Sequence, residues 1–284
     1  METAVRSSIM NRRYRRNRIM MALAIFSSAL GLFFLAVILA TLVFRGIDAI
    51  NLDVFTMSIP AQGSRGGLVN AMYGTVVITG LAMLIATPLG ILAGTYLVEF
   101  ANGSTLAEAA KFINDVLLSA PSIVIGVFIY GAVVVPMHGN SAIAGALALA
   151  LIALPVVNRT TQDMLKLVPN ALREATAALG APRWMSMTMV IYRSAWTGIL
   201  TGILLAVARI SGETAPLLFT AGYSKFWNTG LTGPMASLPV EINTLAADPG
   251  PDLKRLAWGG ALIITVAILA LNILARSLAG RRSS

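Results

Sequence analysis

The chain has 284 residues, of which 57% are hydrophobic and 12% charged, and a mean hydropathy of +0.79. An ordinary soluble domain carries about 25% charged residues, and the long apolar runs exclude one here. The absence of cysteine excludes disulfides and thiol chemistry, and the one histidine, His138, falls in a short predicted connection, so no His-based catalytic site or metal cluster is visible. The net charge of +9 does not point to nucleic acid, because the basic residues flank apolar spans, which is the pattern of membrane topology.

Residues 1–19 carry Arg6, Arg12, Arg13, Arg15, Arg16 and Arg18 and are expected to form a disordered cytoplasmic tail. Met20–Phe44 is longer than a signal-peptide core and reads as a retained span. Residues 45–68 read as an outside loop. The second span runs over Val69–Val98 and holds Pro88, where a kink is expected. Its Gly74, Gly80, Gly90 and Gly94 permit close helix approach. Residues 99–116 form a polar, partly amphipathic inside loop. The third span is Leu117–Val135 and the fourth Ser141–Val157, joined by the short connection Pro136–Asn140. A polar island, residues 158–194, comes next. The fifth span is Ala195–Ala221, the long loop Gly222–Arg255 follows outside, and the sixth span is Leu256–Ala275. A basic end carries Arg276, Arg281 and Arg282.

Six spans place both termini on one side. With the arginine-rich end inside, the inner segments hold 15 lysines and arginines and the outer ones 5, with Arg209 inside a span. The positive-inside rule therefore puts both termini and the polar island in the cytoplasm. Within that island, Leu172, Ala175, Thr176 and Leu179 recur at helical spacing. Pro169 suits a first turn, Gly180 the C′ position, and Pro182 stops the helix. The result is a helix of about 10 residues, roughly 15 Å long. It is too short to cross a bilayer and of a size to fit a partner's groove.

The fifth span reads ILTGILLAVARISGETAPLLFTA and carries Arg209 about 20 Å along the helix from Trp196, near mid-bilayer. A charge there is expensive and faces a bundle interior or a wet cavity. Read as one continuous helix, the span places Glu213 one turn on, on the same face, while Pro216 leaves the Gly212 carbonyl without its donor at a kink. Two readings stand: an Arg209–Glu213 pair that fixes packing, or Arg209 lowering the barrier for an oxyanion on a translocation path, with Glu213 holding or gating it. No Walker A sequence and no strand-borne G-x-G-x-x-G is present, so ATP would have to be bound by another chain.

Glu174-Ala175-Thr176, three residues and Gly180 resemble the E-A-A-x-x-x-G loop of type I ABC importer permeases, with Thr176 in place of the third alanine. Ala208–Ala221, ARISGETAPLLFTA, resembles the signature of the A-type permease subunits of high-affinity phosphate ABC transporters. Phe226–Ile242, Thr87–Phe100, Ala120–Tyr130 and Leu154–Leu179 are similar to that branch as well, so that the resemblance covers residues 68–276.

The resemblance implies an all-α, polytopic fold with six transmembrane helices and a permease core over 68–276, in the inner (plasma) membrane of a bacterium. It implies a homologous C-type permease as partner, two ATPase subunits beneath, and a periplasmic or lipid-anchored phosphate-binding protein above. The chain itself would be no enzyme and hold no cofactor. The short helix would be the coupling helix, with Leu172, Glu174, Ala175, Leu179 and Gly180 against the ATPase. A permease for sulfate or molybdate is the nearest alternative, and an ion-coupled secondary transporter a more distant one.

Overall fold

The computed structural model describes residues 2–61, 63–101 and 103–280, with side chains for residues 13–277 among these, and every regular element in it is helical. Arg281 and Arg282 lie outside the described residues, as do the side chains of Arg6 and Arg12. In chain order the helices are α1 (Glu2–Ile47), α2 (Leu52–Thr56), α3 (Val69–Thr95), α4 (Thr105–Ser119), α5 (Ser122–Ile129), α6 (Ala142–Lys166), α7 (Asn170–Ala178), α8 (Arg183–Met185), α9 (Tyr192–Ile210), α10 (Ala215–Thr220), α11 (Leu238–Ala247) and α12 (Pro251–Gly280). Three π-helical turns extend them: Tyr96–Phe100 after α3, Tyr130–Val134 after α5, and Ser186–Ile191 before α9.

Five segments are long and apolar enough to cross a membrane: Arg13–Ile47, Val69–Phe100, Ala142–Lys166, Arg183–Ile210 and Pro251–Ser277. The pair Thr105–Ser119 and Ser122–Val134, bent by 105°, makes a sixth if counted as one span.

Four expectations change. The arginine-rich stretch is helical from Glu2 rather than disordered, continuing α1. Arginine is a good helix former, and an adjoining helix removes the cost of nucleation. The third span is not a straight Leu117–Val135, because Leu117–Ser119 end α4 and the chain turns at Ala120-Pro121 into α5. The ring of Pro121 disfavours a helical Ala120, which is extended at ψ 135°. The polar island is mostly helix: α6 runs on to Lys166, and the run into α9 begins at Arg183. The long loop expected over Gly222–Arg255 contains α11, whose Leu238, Val240 and Leu245 are buried.

Helix α6 is the axis of the bundle, with two-thirds of its apolar window buried. Ser141 caps it, accepting from the Ala144 N–H at 3.1 Å. Its closest neighbour is α3, held near by small residues. A Cβ on Gly90 would lie 2.8 Å from Val157 Cβ, and one on Gly94 would lie 2.9 Å from Thr161 Cβ. Gly74 abuts the backbone of Ala236 likewise, but Gly80 faces open space. It lines a cavity of about 420 Å³ between α3, α9 and α12, so its role is not helix approach.

At the other extreme, none of the apolar window of α1 is buried. The helix meets the rest of the chain near its end, on α12. Leu42, Gly46 and Ala49 form the buried face. A Cβ on Gly46 would sit 2.8 Å from Leu262 Cβ, and the Arg45 guanidinium lies 5.5 Å from the centre of the Trp258 ring.

Candidate functional site

The fifth span is broken, not merely kinked. Helix α9 stops at Ile210, and Ser211 caps it with both its N–H and its hydroxyl on the Val207 carbonyl, at 3.0 and 2.7 Å. Gly212 to Thr214 lie outside regular helix, with Gly212 N–H on Arg209 O and Glu213 N–H on Ile210 O as the last tightened turns. Pro216 then opens α10 in its first turn, where its missing N–H costs nothing. It is buried against α5, since a Cβ on Gly126 would lie 2.6 Å from Pro216 Cα. Helix α10 is tied to the start of α6 by Ser141 N–H on Thr220 O at 3.0 Å.

This break overturns the continuous helix that would have put Arg209 and Glu213 on one face. Arg209 is exposed in the last turn of α9, Glu213 is half-buried beyond the helix end, and no ion pair joins them. The physical reason is the Ser211–Pro216 segment: two poor helix formers precede a proline that cannot close the turn. The break sits at mid-height, because Val207 and Ser211 line the same cavity as Thr79, Gly80 and Met83 in the middle of α3. An arginine exposed there must meet a wet path or another protein surface rather than lipid. It also lies at a helix C-terminus, where the helix dipole favours a cation.

Helix α7 is short, begins after Pro169 and has no buried residue. Gly180 adopts φ +70°. Gly180 N–H donates to Ala177 O at 3.0 Å and Ala181 N–H to Thr176 O at 3.1 Å, the paired bonds of a Schellman end. Leu172, Glu174, Ala175, Leu179 and Gly180 all lie on exposed surface, with Leu179 85% exposed.

Two features escaped the sequence reading. Arg173, next to Glu174, is half-buried and bonds Glu99, and its partner lies 74 positions away. Glu241 in α11 is fully buried with neither carboxylate oxygen hydrogen-bonded. This helix lies outside the spans, by the start of α3, where Leu238 N–H donates to Thr75 Oγ1 at 2.7 Å. Burial away from water pushes the Glu241 carboxyl up to about 8, with the nearby Lys225 ammonium pulling the other way. Tyr223 is raised as well, by burial first and by the Glu241 charge second. A sequence signal existed for Glu241: it stands alone in the apolar run LPVEI inside a polar loop. Among the described residues no group of His, Cys, Asp or Glu is placed to hold a metal ion.

Residues 86–282 match the family described as the binding-protein-dependent transport system inner membrane component. The chain belongs to this family. The permease is 52% identical over 261 residues to the phosphate transport system permease protein PstA of Pasteurella multocida, covering 92% of this chain and 93% of that one. It is 52% identical over 264 residues to the protein of the same name from Haemophilus influenzae, covering 93% and 94%. Its fold matches, with a TM-score of 0.70, the crystal structure of a bacterial ABC transporter involved in the import of the acidic polysaccharide alginate, over 95% of this chain and 98% of that one at 13% identity. The fold is thus that of the ABC importer permeases, as the loop resemblance implied.

Proposed function

We propose that this permease is one membrane subunit of an ATP-driven importer of inorganic phosphate. The observation that carries phosphate as the cargo is the 52% identity, over nearly the whole chain, to permeases of phosphate transport systems. Neither sulfate nor molybdate finds comparable support. The chain sits in the inner membrane with both termini cytoplasmic, and with a homologous C-type permease it forms the pathway. Arg209 lines that pathway and pairs transiently with phosphate oxygens, Gly212 and Pro216 set the break that presents it, and Glu213 lies beyond the break. Transient pairing suits conduction, because a cargo that binds tightly does not leave.

Two ATPase subunits bind ATP on the cytoplasmic side, and a phosphate-binding protein docks on the outer side. Helix α7 seats on an ATPase through Leu172, Glu174, Ala175 and Leu179, with Gly180 ending it. What supports this is the combination of an amphipathic helix, an exposed Leu179 and the family loop. ATP then biases a two-state pathway from one end and the loaded binding protein biases it from the other.

The direct test is uptake of labelled phosphate into vesicles carrying this chain with its partner permease, ATPase and binding protein. Uptake is expected to need ATP and this chain and to be unaffected by excess sulfate. Uptake driven by an ion gradient without ATP would overturn the proposal. For the docking helix, the cysteine-free chain makes cross-linking clean. Single cysteines at 172–179 are expected to cross-link to the ATPase, most readily at Leu179. An intact complex with no cross-link at any of these positions would remove α7 from the interface.

A further inference from the structure

Apolar packing does not hold α7, since none of its residues is buried. Its grip on the rest of the chain is concentrated in the guanidinium of Arg173. Nη1 donates to Val168 O at 2.6 Å, just beyond the end of α6, and Nη2 to Leu165 O at 2.8 Å, a carbonyl of the last turn that also accepts from the Val168 N–H. Nη2 also lies 2.7 Å from Glu99 Oε1, while Nε lies 3.3 and 3.4 Å from the two carboxylate oxygens. Glu99 belongs to the π-helical turn that closes α3.

Among the described residues this is the one side-chain ion pair or hydrogen bond that joins α7 to the end of α3. The two side chains are 24% and 13% exposed, so water screens them less than a surface pair. The contacts need a planar fork of donors, which lysine does not have. Around the pair is a cavity of about 310 Å³, lined also by Thr176, Arg183 and Met187. The π-helical turn that leads into α9 borders it too, through Ser186, Met187 and Ile191. Three membrane helices therefore converge on one small joint, and two of them reach it through π-helical turns, which recur at functional sites.

The geometry points to Arg173 as a positioning residue for energy coupling: it fastens α7 to α3 as well as to α6, so that a displacement of α7 moves both helices together. This rests on the docking role proposed for α7. Without the Glu99 end of the brace, α7 stays attached to α6 through Leu167–Pro169 and Arg173's carbonyl bonds, and swings without carrying α3.

The test measures inorganic phosphate imported per ATP hydrolysed, in proteoliposomes holding the complete complex. Glu99→Ala removes the α3 end of the brace and leaves the carbonyl bonds of Arg173 intact. It is expected to lower the ratio about fivefold or more, the low end of typical coupling between sites. Glu99→Asp, which keeps the charge, is expected to restore most of it, and Arg173→Lys is expected to lower it. Cross-linking from residue 179 to the ATPase should be unchanged in all three. An unchanged ratio in Glu99→Ala, counted per assembled complex, overturns the inference. So does a proportional fall of transport and ATP hydrolysis, which is the mark of a merely structural role. A native complex that shows no cross-link from α7 at all fails the docking reading itself, and the brace with it.

Discussion

Arg209→Gln is expected to cut phosphate uptake about 10- to 100-fold, the range that corresponds to losing one or two hydrogen bonds of a charged donor. Glutamine keeps much of the length and some hydrogen bonding, so the loss isolates the charge. The protein should still assemble, because Arg209 is exposed and pairs with no carboxylate in this conformation. Glu213→Gln is expected to cost less, since the break after Ile210 separates it from Arg209. The double variant should then show nearly additive effects. The measurement is the initial rate of uptake, normalised to assembled complex. Uptake by Arg209→Gln at the native rate would take Arg209 off the pathway. Strong non-additivity would show that the two meet in another state of the transport cycle.

The second large effect is one of stability. Glu241→Gln is expected to raise the unfolding temperature at pH 8 and above and to leave it almost unchanged near pH 5. The carboxyl titrates at about 8 in the fold, against 4.5 for an ordinary side chain, so the folded chain holds this proton more tightly than the unfolded one. The stabilisation that comes with it is complete below about pH 4.5 and is lost as the pH rises through about 8. Its size is on the order of 5 kcal/mol. Glutamine, which is neutral throughout, should flatten that slope. Thermal unfolding of the complex in nanodiscs between pH 5 and pH 9 reads the difference directly. Identical slopes for the native chain and the variant would show that Glu241 is ionised and solvated in the fold.

What could be read from the sequence followed from how local each signal is. The ends of α7 were legible because Pro169, Gly180 and Pro182 act within a turn of themselves, and the left-handed Gly180 sits where the spacing placed it. The C-terminal end of α6 and the start of the run into α9 were not. Asn158–Lys166 and Arg183–Ile191 are polar enough to look like loop, yet polarity marks where a helix leaves the bilayer, not where it ends. Gly212 and Pro216 gave away a weakness in the fifth span. The hydrophobic period cannot distinguish a kink from a break, and the break decides whether Arg209 and Glu213 share a face. Arg173 and Glu241 are the opposite case, because their meaning is tertiary. A carboxylate 74 positions away turns an ordinary helix arginine into a brace, and the packing of α11 on α3 turns a loop glutamate into a buried acid.

The solitary position of α1 bears on how the protein is made. This helix packs on α12 near its end, with Gly46 against Leu262 and Arg45 over Trp258. Among the described helices, the earliest in chain order therefore has as its partner the latest. Synthesis proceeds at about 5–20 residues per second, so the gap lasts on the order of ten seconds or more. During that interval α1 resides in lipid on its own hydropathy, tethered by the α2 loop, while the chain from α3 to α11 folds around α6. The core around α6 can then close before α1 docks on α12.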